Sequence, residues 1–268
     1  MDGRDWGKFL IPYDQAVEEL KVKFKTMRVE MKKREEYSPI EFVTGRVKRV
    51  SSILEKAKRL NVPMEKLEEG IEDIAGIRIM CQFTADIDQM AELIRSRKDM
   101  RVLYEKDYIK NNKPSGYRSY HMIVEYPVQT ALGMKAILAE LQLRTLAMNF
   151  WATIEHSLSY KFRGNLPEHI RVRLQSAAEA AYLLDEEMSQ IREEIVEAQK
   201  LFEDQSSQVT QVLNQIQQLY FYNRAKEAQQ FQNRFSELWG VENDPWRLRE
   251  LAEQIEAALV LAKKENQS

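Results

Sequence analysis

The sequence predicts an α+β protein, a β-sheet flanked by helices with a long helical C-terminal extension, and three observations carry that reading. In several short segments between about residues 42 and 145, apolar and polar residues alternate at the two-residue period of strands. On either side the apolar spacing changes to three and four, the period of amphipathic helices. Of 268 residues, 44% are hydrophobic and 31% charged, which suits a globular chain rich in exposed helix and excludes a disordered or membrane-spanning class.

Taken in order, residues Leu10 to about Lys33 read as a helix, with Val17, Leu20, Phe24 and Met27 on one face. "YSPIEFVTGRVKRVSSILEKAKRL" reads as a turn, a brief strand through about Lys48, and a helix to Leu60 that places Ser52, Lys56 and Arg59 on one side. "GIEDIAGIRIMCQF" leads from a turn into a strand: Ile77, Ile79, Cys81 and Phe83 point one way, Arg78, Met80 and Gln82 the other. Asp86 is placed to cap a helix reaching about Arg97, and a strand follows from Arg101 to Tyr108. The loop "IKNNKPSG" precedes "YRSYHMIVEY", and a turn near Gly133 suggests an antiparallel pair whose second strand contains "AILAELQLRT". In that strand Ile137, Ala139, Leu141 and Leu143 share one side, and Glu140, Gln142 and Arg144 share the other.

After Thr145, "LAMNFWATIEHSLSYKF" is a helix, and a longer one runs from Pro167 to about Leu201. The remainder reads as two more helices, broken at Gly240 and restarted by an N-cap and N1 proline at Asp244 and Pro245. The stripe Val209, Val212, Ile216, Leu219 makes this glutamine-rich tail a packing helix, not a low-complexity segment. The domain division expected is 1–204 with an extension over 205–268.

No apolar run nears the ~20 residues a bilayer demands, and "MDGRDWGKFLIPYD" lacks a signal-peptide core, so a cytoplasmic protein is expected. The single cysteine, Cys81, lies in an apolar strand, as core filler would. His121, His156 and His169 are scattered, and without CxxC or HExxH spacing a structural zinc site is not expected. With a net charge of -2, a polyanionic ligand must be held by local cations.

Two acids could supply such a ligand's metal: Asp73, just ahead of one strand, and Glu140, on the polar side of another. Mg²⁺ prefers one or two carboxylates plus substrate phosphates. Acids also decorate strands and turns everywhere, and the Glu140 row could be a solvated sheet face. Arg46, Lys48, Lys56, Arg59 and Arg78 flank Asp73 in sequence; a solvated helix face explains Lys56 and Arg59, but not Arg78 within an apolar strand. A second group, Lys106, Lys110, Lys113, Tyr117 and His121, surrounds the loop ending in "SGYRSYH", where Tyr117 offers a ring for a base or could simply be core.

"GRVK", "EDIAGIRIMCQF", "KDYI", "SGYRSYH", "AELQLRTLAMNFWATIEHSLSYK" and "RLQSAAEAAYLLDEEMSQIRE" together resemble the small alarmone synthetases of the RelA/SpoT family, most closely the RelQ type, over about residues 1 to 200. The resemblance implies a nucleotidyltransferase-like mixed sheet and transfer of pyrophosphate from ATP to the 3′-hydroxyl of GDP or GTP, giving ppGpp or pppGpp and AMP. It implies Asp73 and Glu140 as catalytic residues and Mg²⁺ ligands, with Glu140 the base. Arg46, Lys48, Ser52, Lys56, Arg59 and Arg78 would bind ATP. Lys106, Lys113, Tyr117, His121, Gln142, Arg144 and Asn149 would bind GDP or GTP. It further implies a homotetramer and pppGpp as an allosteric effector held by Lys21, Lys25, Phe42, Thr44 and Asn149. No His-Asp dipeptide of the family's hydrolase occurs, so synthesis without hydrolysis is expected. "YEKDY" departs from the Arg-x-Lys-Asp of larger relatives and leaves the choice of GDP or GTP open. The competing reading is a catalytically degenerate module that binds nucleotide or single-stranded RNA through the same basic residues.

Overall fold

The computed structural model describes residues 5–131, 133–161, 166–241 and 245–265. Its first compact unit, Met1–Gln190, is built on a five-stranded sheet. Helix α1 (Trp6–Lys33) leads into β1 (Phe42–Val47), α2 (Val50–Leu60), a 3-10 turn (Met64–Lys66) and the short α3 (Leu67–Gly70). Then come β2 (Ala75–Cys81), α4 (Thr84–Arg95), β3 (Arg101–Asp107), β4 (Tyr120–Thr130), β5 (Gly133–Thr145) and α5 (Leu146–Lys161). Helix α6 (Glu168–Phe221) begins in this unit, and α7 (Ala225–Val241) and α8 (Pro245–Glu265) follow.

The strand order is β1-β2-β5-β4-β3. Only β2 and β5 run parallel; the other neighbours are antiparallel, so the sheet is mixed. The aliphatic side of β5 is fully used: Ile137, Ala139, Leu141 and Leu143 are buried with Ile77 and Ile79 of β2 and with Tyr13, Val17, Leu20 and Phe24 of α1. Side chains of that size each stabilise the fold by about 1.5–3 kcal/mol when buried, so this layer anchors the sheet from behind. Gly45 lets α1 lie close against β1: a Cβ there would stand 2.8 Å from Ile77 Cδ1 and 2.9 Å from Val17 Cγ1. Cys81 is buried in the same layer and burial pushes its thiol pKa up, as a core cysteine requires.

Several boundaries differ from the sequence reading. Helix α1 starts four residues before Leu10, because the Asp5 carboxylate accepts from the Lys8 amide and caps it, and Pro12 is carried inside. Asp86 acts from inside the first turn of α4, not ahead of it, accepting from the Phe83 amide and the Tyr37 hydroxyl. Helix α6 is one helix of 54 residues and does not stop near Leu201. No glycine or proline interrupts that stretch, and serine, as at Ser206 and Ser207, is tolerated mid-helix. Phe162, expected to end α5, and the Asp244 cap expected before Pro245 lie outside the described residues.

The second unit, Ile191–Ser268, has its own apolar core. Val212, Ile216 and Leu219 of α6 bury against Ala228 of α7 and Leu251, Ile255 and Leu259 of α8. The stripe read from sequence is therefore a packing face. Among the described residues no helix is long and apolar enough to cross a membrane.

Candidate active site

Sheet register converts separate segments into one surface. Across the strands Thr44 pairs with Arg78, Arg78 with Gln142, Gln142 with His121 and His121 with Lys106. The adjacent row runs Arg46, Gly76, Glu140, Ile123, Tyr104. Paired residues point to the same side, so both rows lie on the face opposite the α1 core. Gly76 has no side chain between Arg46 and Glu140, and a recess of about 110 Å³ opens there, lined also by Lys48, Asp73 and Arg78.

That recess adjoins a cleft of about 560 Å³ lined by Lys56, Asp73, Lys106, Tyr108, Lys113, Tyr117, His121, Glu140, Gln142 and Arg144, with residues of α5 on its far wall. The size lies within the range of small-molecule sites. A larger groove, about 880 Å³, lies in the second unit, but hydroxyl and amide side chains dominate its lining, with one acid, Glu256, and one cation, Lys263. The sheet cleft, with paired acids among many cations, is the better candidate for phosphate chemistry.

Each acid is held by cations or donors. Lys48 Nζ donates to Asp73 Oδ2 at 2.7 Å, and Lys56 Nζ stands 2.9 Å from Oδ1. The two lysines thus clamp the carboxylate by its two oxygens. Burial works to raise the Asp73 pKa, yet the two lysines together hold it below the ordinary carboxylate value. Glu140 Oε1 is 2.9 Å from His121 Nδ1, and Glu140 Oε2 accepts from Gln142 Nε2 at 2.6 Å. Burial opposes its ionisation too, but His121 and Gln142, helped by the charge of Lys56, bring Glu140 down to about 2. Both acids are thus charged at neutral pH.

The remaining polar side chains brace this floor. The Gln142 carbonyl oxygen accepts from Arg78 Nε and from an Arg144 terminal nitrogen, which fixes its amide group toward Glu140. Burial, then the charges of Arg144 and Arg46, lowers the Arg78 pKa. Arg144 is only 4% exposed; it donates to the Tyr117 hydroxyl at 2.6 Å and to Ser119. The Tyr117 hydroxyl lies 2.7 Å from His121 Nε2. With a neutral imidazole, the tyrosine hydrogen goes to Nε2 and the Nδ1–H faces Glu140. Gly116, at φ +87°, lets this loop pass α6, since a Cβ there would come 2.6 Å from Ala178 Cβ. Lys113 lies over the Tyr108 and Tyr117 rings at 4.5 and 4.9 Å.

Twelve of the residues nominated for catalysis or substrate binding therefore meet: Arg46, Lys48, Lys56, Asp73, Arg78, Lys106, Lys113, Tyr117, His121, Glu140, Gln142 and Arg144. Ser52, Arg59 and Asn149 stand outside the lining, Arg59 exposed and the other two half-buried. Of the residues nominated for an effector, Thr44 reaches the recess; Lys21 is paired with Glu18 at 2.7 Å, Lys25 is exposed on α1, and Phe42 is exposed on β1. Sequence reasoning missed Glu72, Tyr108, Thr153, Glu155 and His156, which also line the cleft. Glu72 adjoins Asp73, and the "TIEH" run on α5 is polar where that helix meets the sheet's active face; those were the available signals.

A nearby group senses pH. Asp185 of α6, 5% exposed, accepts from the Thr145 hydroxyl at 2.6 Å, and Thr145 Oγ1 accepts from the Met148 amide at the start of α5. Burial raises Asp185 to about 6. A folded-state value above the ordinary 3.8 means its favourable contribution is complete below pH 3.8 and is lost as pH rises through 6. Asp185→Asn keeps an acceptor without the charge. Thermal melts should show the variant more stable at pH 7.5, by up to about 3 kcal/mol, with the gain vanishing by pH 4.

A mixed sheet bearing paired acids ringed by lysines and arginines, with an aromatic ring alongside, defines a protein that handles polyphosphorylated nucleotides. The comparisons make the family specific: residues 45–165 match the region found in RelA / SpoT proteins, and the chain belongs to that family. It is 59% identical over 199 residues to GTP pyrophosphokinase YjbM of Bacillus subtilis, covering 74% of this chain and 94% of the relative. It is 38% identical over 193 residues to GTP pyrophosphokinase YwaC of the same organism, covering 71% and 92%. The crystal structure of small alarmone synthetase 1 from Bacillus subtilis bound to its product pppGpp superposes with a TM-score of 0.69 at 59% identity, covering 71% of this chain and 97% of that one.

Proposed function

We propose that this protein is a (p)ppGpp synthetase: it transfers pyrophosphate from ATP to the 3′-hydroxyl of GDP or GTP, yielding AMP and ppGpp or pppGpp. The observation that carries the reading is the parallel β2–β5 pairing, which brings Asp73 and Glu140 to one cleft walled by Arg46, Lys48, Lys56 and Arg78 on one side and Lys106, Lys113 and Tyr117 on the other. Two polyanions can be held there in line. Phosphoryl transfer asks for such placement and charge compensation more than for covalent help.

In this reading Lys48 and Lys56 exchange Asp73 for ATP phosphates, with Ser52 and Arg59 on the same helix supporting them, and Arg46 and Arg78 lie against the adenine. Tyr117 stacks on the acceptor base, His121 and the loop lysines meet its phosphates, and Gln142, Arg144 and Asn149 hold the cleft's shape. The donor chemistry fits a divalent cation, Mg²⁺ by preference: both acids offer hard oxygens, and both line the same recess. Among the described residues no three-donor cluster of His, Cys, Asp and Glu is assembled, so substrate phosphate and water would complete the shell. Bound there, the ion would offset the charge on the transferred phosphates. A carboxylate near 2 is a weak base, so Glu140 serves mainly to aim the 3′-hydroxyl and receives its proton only as the new bond forms.

The same reading assigns 1–204 to synthesis and 205–268 to an extension, and places the protein in the cytoplasm as a homotetramer. It keeps pppGpp as an effector at Lys21, Lys25, Phe42, Thr44 and Asn149, and single-stranded RNA as a further partner. Purified protein incubated with ATP, Mg²⁺ and either GDP or GTP should release AMP and a guanosine nucleotide carrying a 3′-pyrophosphate, read by anion-exchange chromatography. ATP and acceptor binding without that product would instead support the degenerate binding module.

A further inference from the structure

The cleft contains four acids, and three are engaged on the floor or on the Asp73 side. Asp73 is paired with two lysines, Glu140 with His121 and Gln142, and Glu72 lies near enough to Tyr104 to reinforce the burial that pushes its hydroxyl pKa up. The fourth, Glu155, comes from α5 on the opposite wall. One turn earlier on α5, Trp151 and Ala152 are buried with Ala178, and Tyr117 packs against that cluster. Residues three and four apart share a helix face, so Ala152, Glu155 and His156 form one line on the face of α5 that lines the cleft, with Ala152 at its Tyr117 end. Trp151 Nε1 donates to the Leu174 carbonyl at 2.7 Å, which pins this part of α5 in place. The Ser159 hydroxyl donates to Glu155 Oε1 at 2.7 Å and steadies the carboxylate.

We infer that Glu155 reads the Watson–Crick edge of the acceptor purine and so determines its selection as guanine. This rests on the synthetase reading above and on Tyr117 as the stacking ring. A base stacked on Tyr117 turns its edge along α5, where the half-buried carboxylate waits. Guanine presents two adjacent donors, N1–H and the 2-amino group, and one carboxylate accepts both. Adenine presents a lone pair at N1, which a carboxylate repels. Hypoxanthine keeps N1–H but has no 2-amino group and forfeits one of the two bonds. The small Ala152 beside the ring leaves room for the base, and a carboxylate discriminates where neutral neighbours such as Thr153 cannot.

The test is acceptor competition. With ATP as donor, kcat/KM is measured for GDP and for IDP in the unaltered protein and in Glu155→Gln. The glutamine amide offers one acceptor and one donor, and its donor opposes one of guanine's. The GDP-to-IDP preference should fall by about tenfold or more, through the KM of the acceptor, with the KM of ATP unchanged. Glu155→Asp, which shortens the reach by one methylene, should lower the same ratio. Should either variant turn over too slowly, equilibrium binding of GDP and IDP reads the same preference. An unchanged ratio overturns the inference while leaving the synthetase reading intact. Failure of the unaltered protein to pyrophosphorylate any acceptor overturns the synthetase reading itself.

Discussion

Glu140→Gln should leave a folded protein whose turnover is lower by about 10³-fold, with ATP binding little changed. The substitution keeps the shape and one acceptor oxygen but removes the charge that, in the proposed reaction, would aim the acceptor hydroxyl and share a cation with Asp73. The substitution also costs stability. Glu140 ionises well below its ordinary 4.5, at about 2, so its pairing with His121 and Gln142 stabilises the fold above pH 4.5, and that contribution is lost as pH falls through 2. At pH 7.5 the glutamine variant should therefore lose up to about 3 kcal/mol of stability. Single-turnover kinetics, ATP titration and thermal melts separate these effects. A variant with unimpaired turnover would remove Glu140 from the chemistry.

Asp73→Asn should separate binding from turnover in a different way. In the structure Asp73 is the counter-ion of both Lys48 and Lys56. Its neutralisation leaves two partly buried ammonium groups facing each other, which costs stability, and leaves them with no internal partner to abandon when phosphates arrive. ATP affinity measured without divalent ion should therefore rise, by about tenfold, as one charge-assisted contact no longer has to be broken first. Turnover with Mg²⁺ should nonetheless fall by about 10²–10³-fold, because half of the carboxylate pair is gone. Weaker metal-free ATP binding in the variant would show that the lysines do not transfer from Asp73 to phosphate.

The two variants test the same juxtaposition from its two sides, and Asp185→Asn tests the joint behind it. Asp185 holds Thr145, the residue after Arg144, and Thr145 caps the helix that carries Glu155. Floor and far wall of the cleft are thus joined at a single corner of the fold.

Much of this was legible in the residues alone. Strict alternation in "AILAELQLRT" assigned Leu141 and Leu143 to a core and Glu140, Gln142 and Arg144 to the opposite face, because a strand repeats every two residues. The same period isolated Arg78 as a cation with no place in an apolar core. Helical spacing in the tail marked Val212, Ile216 and Leu219 as a packing face, which the second unit's core uses. What alternation could not decide was whether the polar face of β5 met water or a ligand. That depended on β2 lying parallel to β5 in a register opposing Gly76 to Glu140, and on α5 closing the far side. Register and helix placement are long-range choices, made by burial of the whole apolar face, and no local pattern encodes them. Hence Glu155 and His156, ordinary polar positions on a helix, become cleft residues only in three dimensions, while Arg59, on the predicted face with Lys56, remains in solvent. The sequence alone determined which side chains have chemistry to offer; the tertiary fold decided which of them line one cleft, because it sets the distances between segments far apart in the chain.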